Sequence, residues 1–200
     1  MWKAARRRLG LLASTQPSST NPTPLKTYPL LLAALLGLSQ CKKNDLNPVD
    51  QLPPATQTGA GTFGCLVNGQ AWTPQGNNGF ANYSVSYDTF PDGGLLEIST
   101  YRIDNQNNQK QFIFLWTKQI HGPGTFPFQN TAIATATFDD AKSGCYWASR
   151  DSTTTYRRGQ LTITRLDLQA GVVSGTFAFT LYKPGCDSIR VTNGRFDRKL

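Results

Sequence analysis

The stretch GQLTITRLDLQAGVVSGTFAFTLYKPGCDSIRVTNGRFD, residues 159–197, gives the clearest indication of fold class in this 200-residue chain. Apolar and polar residues alternate through three runs, which the short turns QAG and KPGCD separate. Because successive side chains of a β-strand point to opposite faces, the alternation predicts three antiparallel strands with one buried face. Phe177, Phe179 and Leu181 are expected to point inward.

The third of these runs changes phase before it ends. Ile189 and Val191 continue the inward rhythm, whereas Phe196 has the opposite parity. One extra residue restores the alternation, so we interpret Asn193-Gly194 as a β-bulge rather than a turn.

The same alternation appears earlier in the chain. Asn68-Gly69 is a strong two-residue hairpin signal, and pairing across it places Cys65 opposite Trp72. In QFIFLWT, residues 111–117, both parities are apolar, which is typical of a central strand covered on both faces. About ten short strands of this kind predict an all-β domain, either an antiparallel β-sandwich or a barrel-like fold.

The N-terminal part reads as a secretory leader. Residues 30–38, LLLAALLGL, form an apolar run of about half the roughly 20 residues that a membrane-spanning helix needs. A short apolar core after Lys26 is typical of a signal peptide. The tetrapeptide LSQC, residues 38–41, resembles a bacterial lipobox, although Gln40 stands where that pattern prefers a small residue. This resemblance implies that Cys41 is acylated after cleavage.

Three segments are therefore expected. Residues 1–40 form a leader and lipoprotein signal peptide, and a start at Leu25 would leave a compact signal without the basic, Ser/Thr/Pro-rich segment ahead of it. Residues 41–61 form the lipidated cysteine and a flexible tether, because they are polar, proline-rich and without periodicity. Residues 62–200 form the all-β domain. The protein is expected in the cell envelope, lipid-anchored to the outer membrane, with the periplasmic and surface sides both open.

The charge of the chain argues against nucleic acid as a partner. The formal net charge is +8, from 20 basic and 12 acidic residues. Removing residues 1–40 takes away five of the basic residues and none of the acidic ones, so the mature chain carries +3. Nucleic-acid binding requires a concentrated basic face, and most of the excess leaves with the signal.

Two motifs resemble a known family. They are LPPATQTGAGTFGCLVNGQAW, residues 52–72, and GQLTITRLDLQAGVVSGTFAFTL with VTNGRFD, residues 159–181 and 191–197. Both are similar to uncharacterised lipoproteins of Bacteroidota. The resemblance implies a β-rich, secreted, lipid-anchored domain of unknown function, and it brings no catalytic residue.

The cysteines agree with export to an oxidising compartment. With Cys41 acylated, three thiols remain, and they cannot all pair. Cys65 lies inside an alternating strand and is expected to be a buried free thiol. We favour a disulfide between Cys145 and Cys186, since each follows a glycine at a loop-to-strand junction, although spacing alone leaves three pairings open.

No catalytic residues, metal site or cofactor site are predicted. His121, in the turn IHGPGTF, is the only histidine and would have to be the sole base of a Ser-His-Asp arrangement. Asp139-Asp140 is a carboxylate pair, but adjacent residues on extended chain point to opposite sides, and the segment reads as a solvated loop.

Aromatic residues are the remaining lead toward a ligand, because sugar rings pack on aromatic faces. Tyr146 and Trp147 lie beside the loop SRDSTTTYRRG, in which Arg150, Arg157 and Arg158 offer hydrogen bonds to hydroxyls or acidic sugars. These five residues form a candidate binding site, although β-cores also use aromatics heavily.

Three functional classes follow from these observations. The first is a non-enzymatic envelope protein that is structural or interacts with another protein. The second is a glycan-binding module, and the third is a hydrolase. The membrane is the expected partner through the lipid anchor, and a glycan or protein partner is left unnamed.

Overall fold

In the computed structural model, the described part of the chain comprises residues 47–90, 93–107 and 109–200. The predicted leader, signal peptide, start at Leu25 and lipidation at Cys41 lie outside these residues. Within them the chain forms a 3-10 helix, Pro48–Gln51, and eleven strands. The strands are β1 (Ala60–Val67), β2 (Gln70–Trp72), β3 (Tyr83–Asp88), β4 (Leu95–Asp104), β5 (Gln109–Lys118), β6 (Gly124–Pro127), β7 (Ala134–Asp140), β8 (Cys145–Ala148), β9 (Tyr156–Asp167), β10 (Val172–Lys183) and β11 (Asp187–Lys199).

The strands form two sheets that pack face to face. A six-stranded sheet has the order β2-β1-β11-β10-β9-β6, and a five-stranded sheet has the order β3-β4-β5-β7-β8. All strand pairs in both sheets are antiparallel. The predicted all-β sandwich is therefore confirmed, with eleven strands in place of about ten.

The core lies between the sheets. Phe63 of β1 stands near its centre, where its ring contacts Phe177 of β10 at 5.2 Å and Tyr83 of β3 at 5.4 Å between centroids. The predicted inward residues Phe179 and Leu181 are also buried there. Because Phe63 and Tyr83 come from different sheets, this aromatic cluster joins the two layers.

The local turn and bulge signals are also confirmed. Asn68 and Gly69 both have positive φ, of 48° and 84°, as a tight hairpin between right-twisted strands requires. Cys65 pairs with Trp72 across this turn. The register of β11 against β10 shifts beside Asn193, which has a φ of 52°. This bulge returns Phe196 to the core.

The prediction that residues 41–61 form a flexible tether is wrong for the second half of that segment. Residues 48–60, which we call the strap, lie on the outer surface of the six-stranded sheet. Leu52 is buried, and the carbonyl oxygen of Pro53 accepts a hydrogen bond from the guanidinium of Arg195 at 3.2 Å. Gly64 of β1 leaves room for the proline ring, since a Cβ there would lie 2.7 Å from Pro53 Cδ. The folded unit thus begins before residue 62.

A buried carboxylate fastens the strap. Asp197 of β11 is almost fully buried, and its carboxylate accepts hydrogen bonds from both strap and sheet. The donors are the hydroxyls of Thr56 and Ser174, each at 2.6 Å, and the backbone amides of Thr58, Gly59 and Ala60, at 2.8 to 3.0 Å. The amino-acid composition of the strap could not predict this attachment, because a polar, proline-rich segment has the same composition whether it is flexible or bound to the sheet.

A disulfide joins Cys145 and Cys186, the pair favoured from the sequence. Cys145 begins β8 at the edge of the five-stranded sheet, and Cys186 lies in the turn between β10 and β11 of the other sheet. The bond therefore connects the two layers across 41 residues of chain. A loop of that length implies a stabilisation of about 4 kcal/mol on the chain-entropy account. Cys65 is a buried free thiol, and burial raises its pKa.

Across the described ranges, none of the helical segments is long and apolar enough to cross a membrane.

Candidate binding site on the outer face of the five-stranded sheet

The outer face of β5 is aromatic and uncovered. Ile113 and Leu115 point into the core, whereas Phe112, Phe114 and Trp116 point outward and are exposed or only partly buried. The prediction that this strand is central is confirmed, but the expectation that both faces are covered is wrong. The six-stranded sheet packs on one side of β5 only.

A groove runs across this face at Trp116. Trp116 pairs with Glu97 of β4 on one side and with Thr135 of β7 on the other. The guanidinium of Arg150, just after β8, lies 5.4 Å from the centroid of the Trp116 ring. The groove has a volume of about 310 Å³. We call it the Trp116 groove, and the residues that line it are Glu97, Phe114, Trp116, Thr135, Thr137, Tyr146, Ala148 and Arg150.

The floor of the Trp116 groove holds a polar atom without a partner. Thr135 is only 5% exposed, and its hydroxyl makes no hydrogen bond within the described residues. Four other buried side-chain atoms of the described chain share this property, but none of them lines the groove. A buried hydroxyl without a partner costs about 1–3 kcal/mol, so a ligand that bonds it recovers that free energy.

The groove offers both kinds of hydrogen-bonding group. The guanidinium of Arg150 supplies donors only, whereas the carboxylate of Glu97 supplies acceptors. Asp139 lies beyond the groove, beside Tyr146 in the pairing of β7 with β8. Burial and the neighbouring charge of Asp140 raise the pKa of Asp139. Hydroxyl groups of a neutral ligand match such a mixture of donors and acceptors.

Comparison with known families identifies a family but not an activity. Residues 89–198 match a domain of unknown function, DUF6252, over more than half of the chain. The chain belongs to the DUF6252 family. No curated protein and no solved structure matches the chain. The match runs from the end of β3 to β11 and so includes every residue of the Trp116 groove. Membership in this family agrees with the sequence resemblance, which implied a domain of unknown function.

The structure of the DUF6252 domain separates the five residues of the predicted site. Tyr146 is 46% exposed and Arg150 is beside it in the groove, but Trp147 is 5% exposed and points inward. The Trp147 ring packs on Phe138 at 6.0 Å, and its indole nitrogen donates to the carbonyl oxygen of Asp187 at 3.1 Å. Trp147 as a ligand-binding residue is therefore a wrong prediction. The alternation within β8 makes it a core residue.

The two remaining arginines lie elsewhere. Arg157 donates to the carbonyl oxygens of Asp151 and Thr154, so it holds the loop after β8. Arg158 lies on the outer face of the six-stranded sheet, in register with Thr180. Neither residue borders the Trp116 groove.

Sequence reasoning missed Trp116, Glu97 and Thr135. A signal for them was present, because Trp116 has the parity opposite to Ile113 and Leu115. Choosing the aliphatic parity as the inward one would have placed Trp116 outside. Residues of both parities in β5 are apolar, so the strand by itself does not show which set points inward. Whether its second face is covered depends on the other sheet.

The side chains considered for catalysis are dispersed. His121 is exposed in the turn between β5 and β6, and Asp139 and Asp140 lie at the end of β7 rather than in a solvated loop. Over the described ranges, no group of three or more His, Cys, Asp or Glu side chains is placed to hold a metal ion. The absence of a catalytic site stays a prediction.

Proposed function

We propose that this DUF6252 protein is a non-enzymatic, lipid-anchored protein of the cell envelope that binds carbohydrate in the Trp116 groove. The observation that carries the proposal is the partly exposed Trp116 ring beside its register partner Thr135, whose buried hydroxyl has no hydrogen-bond partner among the described residues. The lipid anchor and the outer-membrane location are supported by the short apolar run and the lipobox-like tetrapeptide that end at Cys41.

The chemistry of the groove suits a sugar ring. The C–H face of a pyranose packs on an aromatic ring, and its hydroxyls both donate and accept hydrogen bonds. The volume of about 310 Å³ lies at the lower end of the range for small-molecule sites, which is about 300–1,000 Å³. The ligand is therefore a short stretch of a glycan rather than a long chain.

Arg150 takes part in this binding. A sugar that stacks on Trp116 replaces the guanidinium over the ring, at the loss of a cation–π contact of about 0.5–1 kcal/mol. The displaced guanidinium then borders the sugar and donates to its hydroxyls. The exposed ring of Tyr146 forms the adjacent wall.

A soluble form that begins at Lys42, and so retains every described residue, tests the proposal on a glycan array followed by titration. Trp116→Ala should weaken binding at least tenfold, the loss expected when a central aromatic contact of about 1.4 kcal/mol or more is removed. Thr135→Val should weaken binding as well. It should leave the melting temperature unchanged or slightly raised, because the hydroxyl that it removes has no partner in the fold.

Phe112→Ala is the matched control. Phe112 is an exposed aromatic residue on the same face of the same strand, four residues from Trp116 and outside the groove. Binding that survives this change but not Trp116→Ala locates the ligand in the groove. If no glycan binds at millimolar concentration, the carbohydrate proposal is wrong and an envelope protein that interacts with other proteins remains.

A further inference from the structure

The outer face of the six-stranded sheet carries two exposed arginines, Arg158 and Arg190. Arg158 of β9 and Arg190 of β11 flank Thr180 of β10 in one row. Both are exposed, and neither guanidinium has a hydrogen-bond or ion-pair partner within the part of the chain that the structure describes. Because neighbouring strands lie about 4.8 Å apart, the two Cα atoms are separated by about 10 Å on one surface.

Among the described residues, no acid shares this row or the next one, and Asp187, the nearest acid along β11, pairs in register with Lys183. Tyr156 and Tyr182 pair in the next row, and both rings are partly exposed. On the other side lie small and neutral residues of β9 and β10. We call this surface the bare face, and it consists of Tyr156, Arg158, Gln160, Thr162, Thr176, Ala178, Thr180, Tyr182, Ser188 and Arg190.

The chain enters the domain on the same sheet as the bare face but at its β1–β2 side, where the 3-10 helix contacts β1 and β2. The strap occupies the rest of the same sheet surface, and a recess of about 340 Å³ lies between Ala55 of the strap and Gln160 of the bare face. Asn47, the first described residue, follows Cys41 by six residues, which span at most about 22 Å. An acyl group on Cys41 would therefore hold the β1–β2 side of this sheet within about 22 Å of the bilayer.

We infer that the bare face docks on the membrane that holds the lipid anchor, with Arg158 and Arg190 against anionic phospholipid headgroups. The inference rests on the lipid anchor of the proposed function, which brings the surface within reach. A basic residue near an anionic membrane surface contributes about 1 kcal/mol, and tyrosines are enriched at headgroup level. Lys42 and Lys43, beside the anchor, add charge of the same sign.

This orientation has a consequence for the ligand site. The bare face and the Trp116 groove lie on the outer faces of opposite sheets of the sandwich. Docking of the bare face therefore turns the Trp116 groove away from the bilayer, where a glycan can reach it.

The first test measures the affinity of the face itself, without acylation. The soluble form that begins at Lys42, which lacks both the acylated cysteine and the apolar, basic leader, is sedimented with vesicles of equal parts phosphatidylglycerol and phosphatidylcholine, and separately with vesicles of phosphatidylcholine alone. The quantity compared is the binding constant on the anionic vesicles divided by that on the neutral vesicles. This ratio should fall about 30-fold in Arg158→Gln/Arg190→Gln, because two contributions of about 1 kcal/mol each are lost. Lys110→Gln/Lys142→Gln removes the same charge from exposed positions on the other sheet and should leave the ratio unchanged.

The second test measures orientation in the acylated full chain on the same anionic vesicles. A fluorophore on Thr180→Cys should be quenched by a quencher attached to lipid headgroups, whereas one on Ser99→Cys, on the outer face of β4, should not. The native thiols do not interfere, since Cys65 is buried, Cys145 and Cys186 are bonded, and an acylated Cys41 carries no thiol.

The outcomes separate this inference from the proposal on which it rests. Equal quenching at the two labels in a chain whose acylation is shown by mass overturns the docking and leaves the anchor intact. Arginine-dependent vesicle binding with an unmodified Cys41 supports the surface and overturns the anchor. Binding to an acidic polysaccharide without binding to anionic vesicles overturns the membrane as the occupant.

Discussion

At the scale of single residues, Asp197 carries the most concentrated set of interactions in the domain. Burial alone would raise its pKa, but the hydrogen bonds from Ser174, Thr56 and the strap amides outweigh burial and hold the pKa well below its usual value. The carboxylate is therefore ionised in the folded protein at any pH near neutrality. The hydrogen bonds to Asp197 thus hold the strap on the sheet, because the polar residues of the strap supply few apolar contacts of their own.

Asp197→Asn should destabilise the domain by about 3 kcal/mol or more, because an amide nitrogen then faces donors, and each buried donor without a partner costs about 1–3 kcal/mol. The carboxylate favours the folded state above the unfolded pKa of about 3.9, and this contribution is lost as the pH falls below that value. Urea unfolding between pH 7 and pH 3 should show a steeper loss for the parent than for the variant.

Asp139→Asn is the opposite case and serves as the control. Burial, followed by the charge of Asp140, raises the pKa of Asp139, so its ionised form opposes folding at neutral pH. The substitution should leave stability at pH 7 unchanged or increased. A loss for Asp139→Asn equal to that for Asp197→Asn would contradict the distinction between the two carboxylates.

At the scale of elements, the strap behaves as a part of the six-stranded sheet. Leu52→Ala should lower the free energy of unfolding by about 2–5 kcal/mol, the usual range for a buried leucine. Leu168→Ala is the matched control, because Leu168 is 55% exposed in the turn between β9 and β10. It should change stability by less than about 0.5 kcal/mol. Equal effects of the two changes in urea would show that the strap is detached in solution.

The strands themselves were largely predictable. Alternation placed Phe177, Phe179 and Leu181 inside, and the phase change at Phe196 located the bulge, because both signals are local to one strand. The strap was not predictable in the same way. Its attachment depends on Asp197, which lies 137 to 141 residues further along the chain than the donors it binds.

At the scale of the whole molecule, the proposed lipid anchor would determine where the domain works. In the proposed lipoprotein, Cys41→Ala should release the protein from membranes into the aqueous fraction, because the acyl chains each contribute about 0.8 kcal/mol per buried methylene. Intact mass of the parent should show an acylated Cys41 as the first residue. Cys65→Ala, which alters a buried thiol of the core, should stay in the membrane fraction. A parent chain that still carries Gln40 would overturn the anchor.

Only part of the candidate site could be predicted from the sequence. Tyr146 and Arg150 were predicted to bind a ligand, whereas Trp116 was assigned to the core and Trp147 to the surface. An aromatic residue on a strand is equally suited to either place, and its own strand cannot tell whether a second layer covers it.

The all-β class, the hairpin at Asn68-Gly69 and the inward parity of the last strands could be predicted from the amino-acid sequence alone. These features follow from the two-residue period of a strand and from local turn chemistry. Three other features were established by the packing of the folded chain: the outer face of β5 stays open, the strap is fastened to Asp197, and Cys145 is bonded to Cys186. Each of these depends on which distant strand packs against which face, and alternation within one strand carries no information about that.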